Sequence, residues 1–108
     1  ATEEYDGSSW TAGGNLTTPT QTNGGAGTLT SGLSFGGQAP AVSPIYTSVT
    51  NEYNGTSWTA GGSLITGRDQ IGGAGANQDA ALAFAGRPGD GPPLEGVTNA
   101  TEEYDGTN

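Results

Sequence analysis

Histidine, cysteine, methionine and lysine are all missing from this 108-residue chain, and its only two cations are Arg68 and Arg87. Without those side chains there is no Ser-His-Asp or Cys-His nucleophile, no Schiff-base lysine, no thiolate or imidazole metal site and no disulfide. Eleven Asp and Glu leave a net charge of −9. An acidic surface of this kind cannot neutralise phosphates, so no nucleic-acid partner is expected. No apolar run approaches the roughly 18 residues that cross a bilayer, and no signal peptide is visible, so no membrane span is expected. Large aliphatic residues are scarce as well. Leu, Ile, Val and Phe number only 14, whereas Gly and Pro together make up a quarter of the chain. Taken alone, that composition is the one of disordered chains, which bury too little apolar surface to offset their conformational entropy.

What is present is a repeat. Shifted by 48 places, EYDGSSWTAGGNLTTPTQTNGGAG (4–27) falls on EYNGTSWTAGGSLITGRDQIGGAG (52–75), with 15 of 24 positions identical. A one-residue insertion then aligns Leu33, Phe35 and Gly37 with Leu82, Phe84 and Gly86, and ATEEYDG of residues 1–7 recurs at 100–106. The chain is therefore one repeat region, 1–108, divided into repeat 1 (4–51), repeat 2 (52–102) and the start of a third copy (103–108). Periods near 50 residues are those of solenoids and propellers. Fifteen of the 21 glycines recur in register, which a flexible linker would not need.

Within each unit the local signals are strand and turn. TEEY runs into the turn dipeptide Asp-Gly and then SSWTA. GGAG is followed by a segment in which Leu33/Phe35, and in the second copy Leu82/Phe84, lie two apart and so share one strand face. Glycines and prolines leave no stretch able to sustain a helix. The loops QAPAVSPIYTS and RPGDGPPLEG carry prolines that mark surface connections. The expected fold is all-β, with about four short antiparallel strands per repeat.

These residues resemble the kelch repeat. That pattern has a diglycine closing one strand, a Tyr in the next and a Trp about six residues on. Here Gly36-Gly37 precede Tyr53 and Trp58, Tyr5 and Trp10 stand in the unit before, and Tyr104 follows Gly86. The wording EYDG-SWTAGG with GGAG is similar to degenerate kelch-like arrays of bacteriophage virion and bacterial surface proteins. Two departures are Ala85 at the first glycine of the second diglycine, and Thr20 at the position Arg68 fills. The resemblance implies β-propeller blades, and its phase divides the chain into the last two strands of one blade, four of the next and three of another. A ring takes about four to eight blades. The expectation is an open segment or part of a larger assembly: a window of a longer array, or several chains that self-associate. A self-sufficient two-blade monomer is disfavoured by its small core.

The acidic clusters Glu3, Glu4, Asp6 and Glu102, Glu103, Asp105 invite a carboxylate-pair reading. Neighbouring strand residues point to opposite faces, however, and the middle copy has Asn54 in place of Asp, so a solvated face is expected and no catalytic residue. GGAGANQDA (72–80) approaches a calcium-binding nonapeptide but has Asn77 at the Asp position, and Gly89-Asp90-Gly91 with Glu95 offers oxygens; the turn-forming role is expected for both, with no metal and no cofactor. No phosphate-binding glycine motif occurs. The recurring Tyr and Trp are expected to pack between blades, leaving Tyr46 and Ile45, in the non-repeating loop, as the contact candidates. Asn15, Asn54 and Asn99 head glycosylation sequons.

Together these features predict a non-enzymatic structural repeat protein at an extracellular or virion surface, a fibre or appendage whose variable loops 38–50 and 86–98 meet a host-surface glycan or protein. A bacterial surface filament or adhesin is the alternative in the same class. A carbohydrate-binding lectin or sugar-active propeller enzyme is the alternative from another class.

Overall fold

The computed structural model describes residues 1–41, 45–89 and 96–108, and among them it contains strands and no helix. The first strands, β1 (Glu3–Tyr5) and β2 (Trp10–Ala12), form a two-stranded antiparallel sheet. A four-stranded sheet follows, in the order β3 (Gly24–Thr28), β4 (Ser31–Phe35), β5 (Thr50–Tyr53) and β6 (Trp58–Ala60). A three-stranded sheet holds β8 (Gly72–Asn77), β9 (Ala80–Phe84) and β11 (Thr101–Tyr104), with β9 in the centre. The all-β expectation is met, and two, four and three strands are the division that the motif's phase predicts. A fourth sheet, the short pair β7 (Arg68–Asp69) and β10 (Arg87–Pro88), was not foreseen. The described residues form neither a closed ring nor a barrel.

Turns explain the hairpins. Asp6 Oδ1 accepts from the amides of Ser8 and Ser9, Asn54 Oδ1 from Thr56 and Ser57, and Asp105 Oδ1 from Thr107 and Asn108. Asp and Asn serve equally here because the turn uses one side-chain oxygen as a backbone mimic, which is why Asn54 can stand between two aspartates. Each is followed by a glycine at φ 90 to 99°, where a Cβ would be strained. The backbone amides facing Asp6 hold its carboxyl far below the usual range, and those facing Asp105 lower that group too.

The four- and three-stranded sheets stack with β3 against β8. Alternation along β4 and β9 sets what meets what. Leu33 and Phe35 point from β4 onto Ala81 and Ala83 of β9, with Ile71 at the edge, so one sheet contributes large side chains and the next small ones. Gly24 and Gly73 let the Phe35 ring lie flat, because a Cβ on Gly73 would come within 2.6 Å of it. The same repeat positions on β9, Leu82 and Phe84, point away from this core and are 39 % and 40 % exposed, against 3 % for Leu33 and Phe35.

Ala85 takes φ +58°, the conformation its counterpart Gly36 holds at +64°. A Cβ on Gly36 would sit 2.6 Å from the Arg68 carbonyl, whereas Ala85 is exposed, so the second copy accepts alanine at the cost of left-handed strain alone. Ala85→Gly is expected to stabilise the chain by about 0.5–1 kcal/mol, read as a rise in Tm. An unchanged or lower Tm would mean that the strain is not there.

Candidate functional site

Two arrangements carry the polar chemistry: a seam that recurs between successive units, and an ion-pair cluster that occurs in one of them.

The seam is built by tyrosine. Tyr53 pairs with Gly32 across the four-stranded sheet, so its side chain leaves on the face opposite Leu33 and reaches β1, where its hydroxyl donates to Glu4 Oε1. One unit on, the Tyr104 hydroxyl donates to Glu52 Oε1. Gly13 and Gly61 lie under these bonds. A Cβ on Gly13 would stand 2.6 Å from the Tyr53 hydroxyl, and one on Gly61 would meet both Tyr104 and Glu52. The glycines after them seat the next unit's turn, since a Cβ on Gly14 would lie 2.6 Å from the Thr56 carbonyl and one on Gly62 would strike that of Thr107. The amide of Gly62 donates to the Tyr104 hydroxyl at 3.1 Å. Trp58 stacks on Tyr53 with ring centroids 4.8 Å apart and donates its indole N–H to Thr2 Oγ1 at 2.8 Å. Trp10 and Tyr5 repeat the stack at 5.0 Å. The aromatics thus pair within a hairpin and bind between units through their polar ends.

The carboxylate of Glu4 raises the Tyr53 hydroxyl's pKa, as burial and then Glu52 raise that of Tyr104. With the folded pKa above the ordinary 10.0, the native state retains protons that the unfolded chain has lost. The stability from these bonds is therefore complete below about pH 10 and is lost as pH rises through the raised values. Alkaline unfolding followed by circular dichroism is expected to show this loss, and Tyr53→Phe with Tyr104→Phe to flatten it. An equally steep alkaline loss in the double variant would remove these bonds as its cause.

The ion-pair cluster belongs to unit 2. Arg68 is 1 % exposed and donates to the Ala85 and Ala100 carbonyls at 3.0 and 3.1 Å and to Glu102 Oε1 at 2.7 Å. Its Nε has no partner among the described residues. Glu102 Oε2 also accepts the Ile65 amide at 2.7 Å. Beside it Asp69, fully buried, takes Arg87 Nε at 3.1 Å and Nη2 at 2.9 Å. Burial alone would raise the Asp69 pKa, but hydrogen bonds from Arg87 and Gln38 outweigh it and hold the carboxyl below its usual value. In unit 1 the same places are neutral. Gln21 and Gln38, counterparts of Asp69 and Arg87, share an amide hydrogen bond at 3.2 Å, while Thr20 and Asn51 replace Arg68 and Glu102. Both members of each pair change together, so no unit buries a lone charge.

The expected solvated acidic face is accordingly only part of the truth. Glu4 and Glu52 bind the next unit's tyrosine, Glu102 holds Arg68, Asp6 and Asp105 fold turns, and Glu3 and Glu103 are exposed. Tyr46 is half-buried rather than presented. It bridges Gln38, and the Arg87 guanidinium lies over its ring at 5.8 Å from the centroid. Ile45 is exposed, as are the sequon residues Asn15, Asn54 and Asn99. Asn77 Oδ1 accepts the Asp79 amide at 2.8 Å, a turn role. Asp90, Gly91 and Glu95 lie outside the described residues. Among the described residues no group of three or more acidic side chains is arranged to hold a metal ion. The sequence signal for the seam was there in the co-recurrence of Glu4 with Glu52 and Tyr53 with Tyr104, but it did not say which residue meets which. No known family model matches the chain, and no curated protein is significantly similar to it.

Proposed function

We propose that this chain is a structural repeat protein without enzymatic activity, built from kelch-like blades and acting as part of an extracellular or virion-associated fibre or appendage. The observation that carries this reading is the recurrent seam: Tyr53 on Glu4 and Tyr104 on Glu52 join successive units by the same bond over the same glycine. A contact that repeats from unit to unit suits extension, because each unit presents what the next one needs. The motif's carboxylates support a non-catalytic role, since most are engaged in turns and seams. Residues 38–50 and 86–98 differ between the two units while the strands around them repeat, and they are the proposed recognition surface for a host glycan or protein. Electron microscopy of the native material tests this. Extended assemblies with a regular axial repeat are expected, and isolated particles of single-chain size would overturn it.

A further inference from the structure

The two ends of the stack are complementary. On the β8–β9–β11 sheet, the outward face carries Leu82, Phe84 and Glu103, the repeat counterparts of Leu33, Phe35 and Glu52. In the internal seam those three are the residues that the following sheet covers. Here the two apolar ones are 39 % and 40 % exposed. At the other end, the β1–β2 hairpin meets the opposite face of the four-stranded sheet at β5 and β6, through Tyr53 on Glu4 and Trp58 on Thr2. Beside them runs a groove of about 890 Å³ lined by Thr2, Asn15, Pro19, Asn23, Gly25 and Trp58. By the repeat, this groove is the place of the inner strand pair of a preceding sheet, the pair that β8 and β9 form.

We propose that a second copy of this chain docks on the open face of the β8–β9–β11 sheet, seating β8 and β9 in its own groove and setting its β1–β2 hairpin beside β9 in place of β11. This rests on the structural-array reading above and names its joint. The exchange is possible because residues 2–5 and 101–104 are both TEEY. The incoming β1 therefore offers β9 the same side chains in the same register, and brings β2 with it to complete four strands. Glu3 of the second copy reaches Arg68 as Glu102 does. Tyr5 of the second copy, now 47 % exposed, reaches Glu52 as Tyr104 does. Leu82 and Phe84 then cover Gly32 and Ser34 of the second copy, as Leu33 and Phe35 cover Ala81 and Ala83. One position fits less well: Ala85 stands where the internal seam has Gly36 close against a carbonyl.

Sedimentation velocity on the purified full chain, over about a hundredfold range of concentration, tests the joint. Wild type is expected to associate with rising concentration. Leu82→Asp, on the open face, is expected to weaken association at least about tenfold with an unchanged circular dichroism spectrum, because it buries a carboxylate in the joint. Tyr5→Phe is expected to weaken it about fivefold, the loss of one hydrogen bond to a charged partner, and Ala85→Gly to strengthen it. Wild type that stays monomeric throughout overturns the inference, while the array reading is judged separately on the native material. Leu82→Asp that assembles like wild type overturns the docking face alone. Loss with Leu82→Asp but none with Tyr5→Phe overturns the strand exchange.

Discussion

Arg68→Ala is expected to destabilise the chain by about 3–5 kcal/mol, a large share of the about 5–15 kcal/mol typical of a whole domain. The guanidinium is the pin of unit 2. It reaches the carbonyls of Ala85 and Ala100 and the carboxylate of Glu102 from a position 1 % exposed. Removing it takes a charged donor from the Ala85 and Ala100 carbonyls, of which Ala100 keeps only the Ala85 amide, and leaves Glu102, 15 % exposed, without its countercharge. Unit 1 supplies the control, because it solves the same packing with Thr20 and Asn51. The double variant Arg68→Thr with Glu102→Asn removes both charges together and is expected to recover more than half of the loss. Urea unfolding of the two single variants and the double one closes the cycle. A double variant as unstable as Arg68→Ala would show that the charge pair is not what matters, and that the guanidinium's bonds to backbone carbonyls carry the effect.

Phe35→Ala and Phe84→Ala are expected to differ widely although the two residues occupy one repeat position. Phe35 is 3 % exposed, lies on Gly24 and Gly73 and touches the Ile71 edge of the core, so truncation leaves a cavity and costs about 3–4 kcal/mol. Phe84 is 40 % exposed, and in the isolated chain its truncation is expected to cost at most about 1 kcal/mol. Denaturant midpoints at low protein concentration, where chains are apart, give the comparison. Equal losses would mean that Phe84 is buried as deeply as Phe35 and that the stack has no open face. At acid pH a further loss is expected from Asp69. Its pKa is depressed in the fold, so its contribution is complete above the ordinary carboxylate value of 3.8 and declines as pH falls below it.

Much of the frame was legible in the residues. The 48-residue shift, the glycines in phase, the Asp-Gly and Asn-Gly turns and the two-residue spacing of Leu33 and Phe35 are local signals, and local backbone preferences convert them directly into hairpins. The expected partition into two, four and three strands came instead from the phase of the kelch resemblance. The β7–β10 pair was not legible, because two-residue strands leave no periodicity to detect. Nor was the engagement of Tyr46. Its partners Gln38 and Arg87 are brought to it by the packing of two loops, and proximity of that kind leaves no trace in spacing along the chain.

Sequence by itself determined that this protein is an acidic, all-β, glycine-phased repeat, without the side chains that thiol, imidazole or amine chemistry requires. Repetition also determined that a contact made by recurring residues in one unit can be made again in the next. Tertiary structure alone decided which contact that is. A β-strand presents its residues to two faces, and the choice of face, with the partner opposite, is fixed only when sheets stack. That stacking set Tyr53 on Glu4 and Tyr104 on Glu52, buried Arg68 against Glu102, and covered Leu33 and Phe35 while leaving Leu82 and Phe84 open.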